Sequence, residues 1–251
     1  MRRLLLVLLA LTAAVIAFSV TAPVTSATAR GARPAAPPAT SAAPSSSSSA
    51  TSSSSTTTTI TTEPPVAAPK LRGVGDSVFR SAIPSMLTVL QPEYRPRLVG
   101  VEAASMQSMI PTTRVMVDAG PPVMVIGLAN PDVRLMVDPV VGYLPYVWAE
   151  DLLDVTAGVP CVVWMNLKEH GVYPLYATGW EREATKFNTW LEGAAAPGGR
   201  LHFANLHVID WNAASAGHPD WFVADGLHLT PTGQANYARK VDRTLERRCP
   251  P

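Results

Sequence analysis

The stretch Leu71-Arg72-Gly73-Val74-Gly75-Asp76-Ser77 sets the architecture, because a short apolar strand runs directly into a polar turn. Four further apolar runs follow it along the chain. The five strand candidates cover residues 71–74, 97–101, 122–127, 159–165 and 206–210. Continuous apolar runs of this kind are typical of parallel strands that are buried on both faces of a sheet.

Longer segments between the strands have the character of helices. They cover residues 78–90, 104–110, 147–155, 180–192 and 231–247. Pro84 is expected to interrupt the first helix, and Thr230 followed by Pro231 predicts the start of the last. Strands alternating with helices predict an α/β fold with a central parallel sheet of about five strands.

The first 70 residues differ in composition from the rest. Residues 1–29 have two arginines, a run without charge from residue 4 to 20, and the small-residue pattern Ala27-Thr28-Ala29, which together predict a cleaved signal peptide. The alternative is an uncleaved membrane anchor. In both cases the remainder is exported, so we expect a secreted or envelope-associated protein that contacts a membrane only if the segment is uncleaved.

Residues 30–70 consist almost entirely of Ala, Pro, Ser and Thr. Such a segment buries too little apolar surface to offset the chain entropy lost on folding, so we predict a disordered linker. Residues 71–251 form the predicted folded domain, which is long enough for one hydrophobic core. We expect this domain to be a monomer.

Charge and motif content exclude several functions. The formal net charge is +1 and no dense Lys/Arg stripe is present, which argues against nucleic acid as a partner. The histidines lack metal-ligand spacing, and neither a dinucleotide fingerprint nor a P-loop occurs, so we predict no metal and no cofactor.

Two cysteines, Cys161 and Cys249, fall in the predicted domain. In an exported protein such a pair favours a disulfide. The alternative is a buried Cys161 and an unpaired Cys249.

Polar residues follow the strands at the edge where parallel α/β proteins place their active sites. Ser77 follows the first strand and Asn130 the third, while Asp225 and His228 lie in the loop before the last helix. Ser77 could act as a nucleophile, with His228 as its base and Asp225 fixing the imidazole tautomer. Asn130 and the N–H groups that open the first helix could stabilise an oxyanion. Each piece alone is also compatible with an ordinary turn.

These residues resemble a known family. Gly75-Asp76-Ser77, Asn130 and Asp225-Gly226-Leu227-His228 are similar to the motifs of the SGNH (GDSL-type) hydrolase superfamily, over residues 71–245. The segments at 207–211 and 218–220 are most similar to SGNH domains of bacterial cell-envelope esterases and O-acyltransferases.

The resemblance implies a three-layer α/β/α flavodoxin-like fold and a catalytic triad of Ser77, His228 and Asp225. It also implies an oxyanion hole from the Ser77 N–H, Asn130 and a residue after the second strand, for which Ser105 is the candidate. The chain departs from the family in having Leu128, where the third motif has glycine, with Gly127 one place earlier. This places the aim of Asn130 in doubt.

The sequence thus predicts an exported serine esterase that removes small acyl groups, above all acetyl, from an envelope glycan. Two alternatives stay open. One is an O-acyltransferase that uses the same triad, and the other is a non-catalytic glycan-binding module with a degenerate site.

Overall fold

A computed structural model describes residues 67–137, 144–172, 178–199 and 201–249. All of them lie in the second of the two units into which the chain divides, Thr61–Pro251. The predicted signal peptide and nearly all of the predicted linker lie outside the described residues. Within the described ranges, none of the helices combines the length and apolarity that crossing a membrane requires.

The centre of the domain is a five-stranded sheet in which every pairing is parallel. Its order is β2-β1-β3-β4-β5, so the chain reverses its direction of winding between β1 and β3. The strands are β1 (Lys70–Gly75), β2 (Arg95–Gly100), β3 (Val123–Gly127), β4 (Cys161–Met165) and β5 (Leu206–Ile209). The predicted parallel sheet of about five strands is confirmed.

Helices cover both faces of this sheet. They are α1 (Ser77–Leu90), α2 (Met106–Asp118), α3 (Asn130–Val137), α4 (Pro145–Thr156), α5 (Trp180–Ala195), α6 (Trp211–Ser215) and α7 (Pro231–Arg248), with a 3-10 turn at Pro219–Trp221. α1 and α7 pack against each other on one face. On the other face α2 packs along α4, and Phe187 of α5 contacts Trp164 of β4 at 6.2 Å between ring centroids. The three-layer α/β/α fold is therefore confirmed.

The prediction for Pro84 and the predicted end of the second helix were wrong. Pro84 lies inside α1 without interrupting it, and α2 extends past Pro111 to Asp118 instead of ending at residue 110. Both prolines lie on the outer, solvent-facing side of their helices, where water can satisfy the carbonyl that loses its partner. The buried apolar residues before and after each proline keep the helix against the core.

A disulfide joins the end of the chain to the sheet. Cys249 caps α7 and is bonded to Cys161, the first residue of β4, with 5.7 Å between the two Cα atoms. Both residues are buried. The link closes a loop with a sequence separation of 88 and fixes α7 against the sheet.

Candidate active site

Ser77 lies where β1 passes into α1, beside the point where the sheet changes its direction of winding. Asp76 is the N-cap of α1, and its Oδ1 accepts a hydrogen bond from Val78 N–H at 3.0 Å. Ser77 is therefore the first residue of the helix, and its backbone N–H has no acceptor within the helix. The helix start directs donors and a partial positive charge to this edge, which suits an oxyanion.

The loop that carries Asp225 and His228 is held by backbone hydrogen bonds across it. Val223 N–H donates to the carbonyl of His228 at 2.9 Å, and Gly226 N–H donates to Val223 at 2.8 Å. Gly226 has φ +69°, and a Cβ there would collide with the backbone carbonyl of Gly171. Glycine in the Asp-Gly-Leu-His motif is thus required by both its conformation and its neighbour.

The two motifs meet as a hydrogen-bonded relay. Ser77 Oγ lies 2.9 Å from His228 Nε2, and His228 Nδ1 lies 2.6 Å from Asp225 Oδ2. Asp225 Oδ1 accepts from the backbone N–H groups of Leu227 and His228 at 2.8 and 2.9 Å. The structure therefore brings Ser77, His228 and Asp225 together in the arrangement of a nucleophile, a base and an orienting carboxylate.

The environment of Asp225 keeps it ionised. Burial by itself would raise the pKa of this carboxyl, but the hydrogen bonds from the His228 ring and the two backbone N–H groups outweigh it, so the pKa is lowered. An ionised Asp225 accepts a hydrogen bond from the Nδ1–H of His228, which holds the tautomer whose Nε2 can take the hydroxyl proton of Ser77.

Asn130 is held at the site by Asp76, a residue of the first motif to which the sequence analysis gave no role. Its Nδ2 and backbone N–H both donate to Asp76 Oδ2, at 2.9 and 3.2 Å. Asp76 is fully buried, and this burial raises its pKa to about 6, while the hydrogen bonds from Asn130 and Val78 act in the opposite direction. Asp76 thus fixes Asn130 beside the nucleophile turn. Its only signal in the sequence was its place between Gly75 and Ser77.

The shifted glycine has a structural reason. A Cβ on Gly127 would lie 2.5 Å from Phe79 Cδ2 and 2.7 Å from Tyr237 Oη, so this position has no room for a side chain. Leu128 is buried, and its carbonyl accepts from Trp164 Nε1 at 3.2 Å. The chain then turns to Asn130 through Ala129, which has φ +113°. A loop without glycine at position 128 therefore still delivers the asparagine to the turn.

Ser105 lies at the start of α2, where it acts as the N-cap. Its Oγ accepts from Ser108 N–H at 3.2 Å. The next residue, Met106, donates its N–H to Asp132 of α3 at 3.1 Å, so the starts of α2 and α3 adjoin. Asn130 is the first residue of α3. Ser105 is thus near the Asn130 turn, but none of its described hydrogen bonds reaches Ser77 or His228, and its oxyanion role stays a prediction.

Two cavities adjoin the relay. A small one of about 20 Å³ is lined by the neighbours of the relay residues, including Val78, Asn130 and Leu227. A larger cleft of about 380 Å³ lies on the other side of the Asp225 loop, between Lys168, His218 and Phe222. Ser77, His228 and Asp225 line neither cavity; the small one is bordered by residues next to Ser77 and His228 in the chain. Within the described residues no group of His, Cys, Asp and Glu could hold a metal ion.

Lys168 is a second residue that the sequence did not single out, and it borders both cavities. Its Nζ donates to the His170 carbonyl and lies 4.6 Å from the centre of the Phe222 ring. Burial lowers the pKa of Lys168, and the charge of Asp225 acts in the opposite direction. Trp211 is buried against Trp221 and Tyr237, at 5.6 and 5.2 Å between ring centroids, so it packs beneath the loop.

Known proteins are similar to this chain in sequence over a short stretch and in structure over most of the described domain. No family model matches it. The O-acetyltransferase OatA of Staphylococcus aureus is 42% identical over 43 residues, which are 17% of this chain and 7% of that protein. The chain therefore matches less than a tenth of the length of this relative.

Solved structures align over most of the described domain. The C-terminal catalytic domain of the peptidoglycan O-acetyltransferase OatA of Streptococcus pneumoniae has a TM-score of 0.56 and 14% identity, covering 72% of this chain and 94% of that chain. A GDSL-like lipase of Bacteroides thetaiotaomicron has a TM-score of 0.57 and 12% identity, covering 71% and 88%. The acetyl xylan esterase AlAXEase has a TM-score of 0.57 and 14% identity, covering 70% and 99%. The resemblance read from the motifs is thus confirmed at the level of the fold: this chain has the fold of the SGNH (GDSL-type) hydrolases.

Proposed function

We propose that this protein is an exported serine esterase that removes acetyl groups from an envelope glycan. The observation that carries the proposal is the relay in which Ser77 Oγ, His228 and Asp225 are joined at 2.9 and 2.6 Å. A serine in hydrogen-bond contact with a histidine that a carboxylate orients is the arrangement that acyl transfer requires.

The reaction begins when Ser77 Oγ attacks the ester carbonyl and its proton passes to His228 Nε2. The resulting oxyanion is stabilised by the Ser77 N–H and by the second N–H of the Asn130 amide, the one that does not bond Asp76. When the tetrahedral intermediate collapses, His228 returns the proton to the departing sugar oxygen, and the acetyl group stays on Ser77. Water, deprotonated by His228, then attacks the acyl carbonyl; as the bond from Ser77 Oγ to the acyl carbon breaks, His228 returns the proton to Ser77 and acetate is released.

The small cavity supports a short acyl group. The cavity has a volume of about 20 Å³. It is lined by Leu128 and Asn130, and by Val78 and Leu227, which are next to Ser77 and His228 in the chain. A space of this size holds roughly one water-sized group, and the methyl of an acetyl group is comparable. A longer acyl chain would require these side chains to move.

The openness of the relay favours water as the acceptor. The side chain of His228 is 39% exposed, so solvent reaches the base that activates the second nucleophile. The larger cleft, at about 380 Å³, is within the size range of pockets that bind small ligands, and it could hold a sugar unit beside the Asp225 loop.

Transfer to a sugar hydroxyl is the second candidate. It is favoured by the 42% identity over 43 residues with an O-acetyltransferase and by the shared fold of an O-acetyltransferase catalytic domain. Hydrolysis and transfer use the same acyl-enzyme, and they differ in whether water or a hydroxyl accepts the acetyl group.

A chain-length series of p-nitrophenyl esters tests the proposal. We expect the acetate ester to be cleaved, with kcat/KM falling as the acyl chain lengthens to butyrate. Ser77→Ala should lower kcat by a factor of about 10⁴–10⁶, and Asp225→Asn by about 10⁴ at neutral pH, because the imidazole loses its tautomer. Ser85→Ala, at a half-buried serine further along α1, is the matched control and should leave the rate unchanged.

The same samples separate the rival functions. If Ser77→Ala retains the wild-type rate, the nucleophile is elsewhere and the proposal is wrong. If the wild type is inert on all short esters and on acetylated glycans, the non-catalytic alternative is favoured. Mass spectrometry after adding a chitooligosaccharide acceptor distinguishes transfer, which yields acetylated sugar, from hydrolysis, which yields only acetate.

A further inference from the structure

Four cationic residues face each other where β1 and β2 begin. The parallel register places Lys70 opposite Arg95 and Arg72 opposite Arg97. Residues two apart on a strand share a face, so all four belong to one face of the sheet. We call them the cationic cluster. Neighbouring strands lie about 4.8 Å apart, and like charges held directly opposite each other destabilise a sheet.

No carboxylate offsets this charge among the described residues. None of the four side chains forms an ion pair within 4.0 Å. Burial and the charges of Arg97 and Arg95 lower the pKa of Arg72. Burial, with the charges of Glu93, Asp242 and Glu246, raises the pKa of Tyr94, which borders the same surface.

The cluster lines a concave surface. A cavity of about 650 Å³ is bordered by all four residues together with Gln91, Tyr94 and Pro96. Backbone carbonyls are the acceptors that the cations use: Arg72 Nη1 donates to Leu71 and Arg95 at 3.0 and 3.2 Å, and Lys70 Nζ donates to Ala119 at 2.7 Å. Arg72 Nε is buried without an acceptor. Donor capacity in this cavity therefore exceeds what the described residues supply as acceptors.

We propose that the cationic cluster is a binding site for a phosphate group. A phosphate monoester carries up to two negative charges and three strong acceptor oxygens, so one group can bridge cations on both strands. Guanidinium groups match the geometry of such an anion better than a point charge does. A carboxylate offers the four cations a single charge, less than a phosphate monoester carries.

The site is separate from the relay and independent of the proposed esterase function. Lys70 and Arg72 lie at the start of β1, whereas Ser77 follows its end, so the two sites occupy opposite edges of the sheet. The phosphate could belong to a soluble phosphate ester or to a lipid headgroup. Both sources present the same chemistry to the cluster.

The test compares the wild-type full chain with Arg97→Gln, at an exposed position of the cluster, by thermal unfolding in inorganic phosphate or in NaCl of equal ionic strength. At ten times Kd we expect phosphate to raise the wild-type Tm by about 3–5 °C. Arg97→Gln should lose at least half of this shift, and in NaCl alone its Tm should equal or exceed that of the wild type, because a like-charge contact is gone. Arg114→Gln, at an exposed arginine of α2 outside the cluster, should retain the full shift.

The proposal would be overturned if phosphate raised the Tm of wild type and Arg97→Gln by the same amount. It would also be overturned if phosphate raised the Tm of the wild type no more than NaCl does. If Arg97→Gln loses only part of the phosphate-induced rise in Tm, the double variant Arg72→Gln/Arg97→Gln must lose the rest.

Sedimentation with phosphatidylcholine vesicles, with or without phosphatidic acid, then identifies whether the phosphate belongs to a lipid headgroup or to a soluble ester. Residues 1–29, the predicted signal peptide or anchor, are present in both wild type and Arg97→Gln, so any vesicle binding by this segment is the same in both. Binding that depends on both Arg97 and phosphatidic acid indicates a lipid headgroup, and a phosphate shift without such binding indicates a soluble ester.

Discussion

Replacing the buried carboxylate of the nucleophile turn, Asp76→Asn, should change how stability depends on pH. The pKa of Asp76 in the folded protein is about 6, raised from 3.8 by complete burial. A group whose folded pKa is raised stabilises the protein fully below its unfolded pKa, and this stabilisation is lost as the pH rises through the folded pKa. For this shift the loss between pH 3 and pH 7 is about 3 kcal/mol.

Asparagine keeps the shape and the N-cap role of this residue but cannot ionise. The variant loses acceptors for Asn130, so its absolute stability falls by an amount that does not depend on pH. The difference in unfolding free energy between variant and wild type therefore isolates the titration of Asp76, because every other ionisable group cancels.

Urea unfolding of both proteins at pH 4, 5, 6 and 7, followed by circular dichroism, measures this difference. We expect the wild type to lose about 2–3 kcal/mol relative to Asp76→Asn between pH 4 and pH 7, with most of the change below pH 6. Parallel stability curves, with a difference that varies by less than about 0.5 kcal/mol, would refute the reasoning. They would mean that Asp76 is as acidic in the folded state as in the unfolded one.

Two further predictions concern packing and covalent structure. Gly127→Ala should lower the free energy of unfolding by about 1–3 kcal/mol, because the added methyl collides with Phe79 and Tyr237. Gly158→Ala is its control, since a Cβ there meets nothing within 4 Å, and equal midpoints in urea for the two variants would contradict the crowding. Removing the disulfide by Cys161→Ser with Cys249→Ser should lower the free energy of unfolding by about 4.6 kcal/mol, the loop-closure entropy for a sequence separation of 88. Guanidinium unfolding of the oxidised wild type and of the variant measures this loss. A loss below 1 kcal/mol would show that the bond does not constrain the unfolded chain.

Hydrophobic pattern was sufficient to predict the sheet. The runs at 122–127 and 159–165 are apolar throughout, and they became the fully buried strands β3 and β4. Helix ends were less predictable. Proline marks a break in a sequence, but at Pro84 and Pro111 packing on the core outweighed the loss of one hydrogen bond. The short helices α3 and α6 were missed because eight and five residues carry too little periodicity to detect.

The candidate site was partly visible in the sequence. Ser77, Asp225 and His228 have side chains whose chemistry suggests a role before any contact is known. The part played by Asp76 depends on a hydrogen bond to a residue 54 positions away, and nothing local to the turn encodes that bond. The cationic cluster was hidden for the same reason, because two pairs of like charges face each other only once the register of β1 and β2 is fixed.

The relay makes the proposed catalysis depend on a contact between distant parts of the chain. Ser77 opens the first helix, His228 precedes the last one, and 151 residues separate them, so the contact between α1 and α7 is among the least local in the domain. Contacts of this kind form late, because the entropy of closing a long loop must be overcome first. In the proposed esterase, a chain in which α7 has not yet docked, or has come away, therefore has a nucleophile without a base. If the proposed function holds, hydrolytic activity should recover during refolding no faster than α7 docks, so the rate at which activity returns would report the completion of the fold.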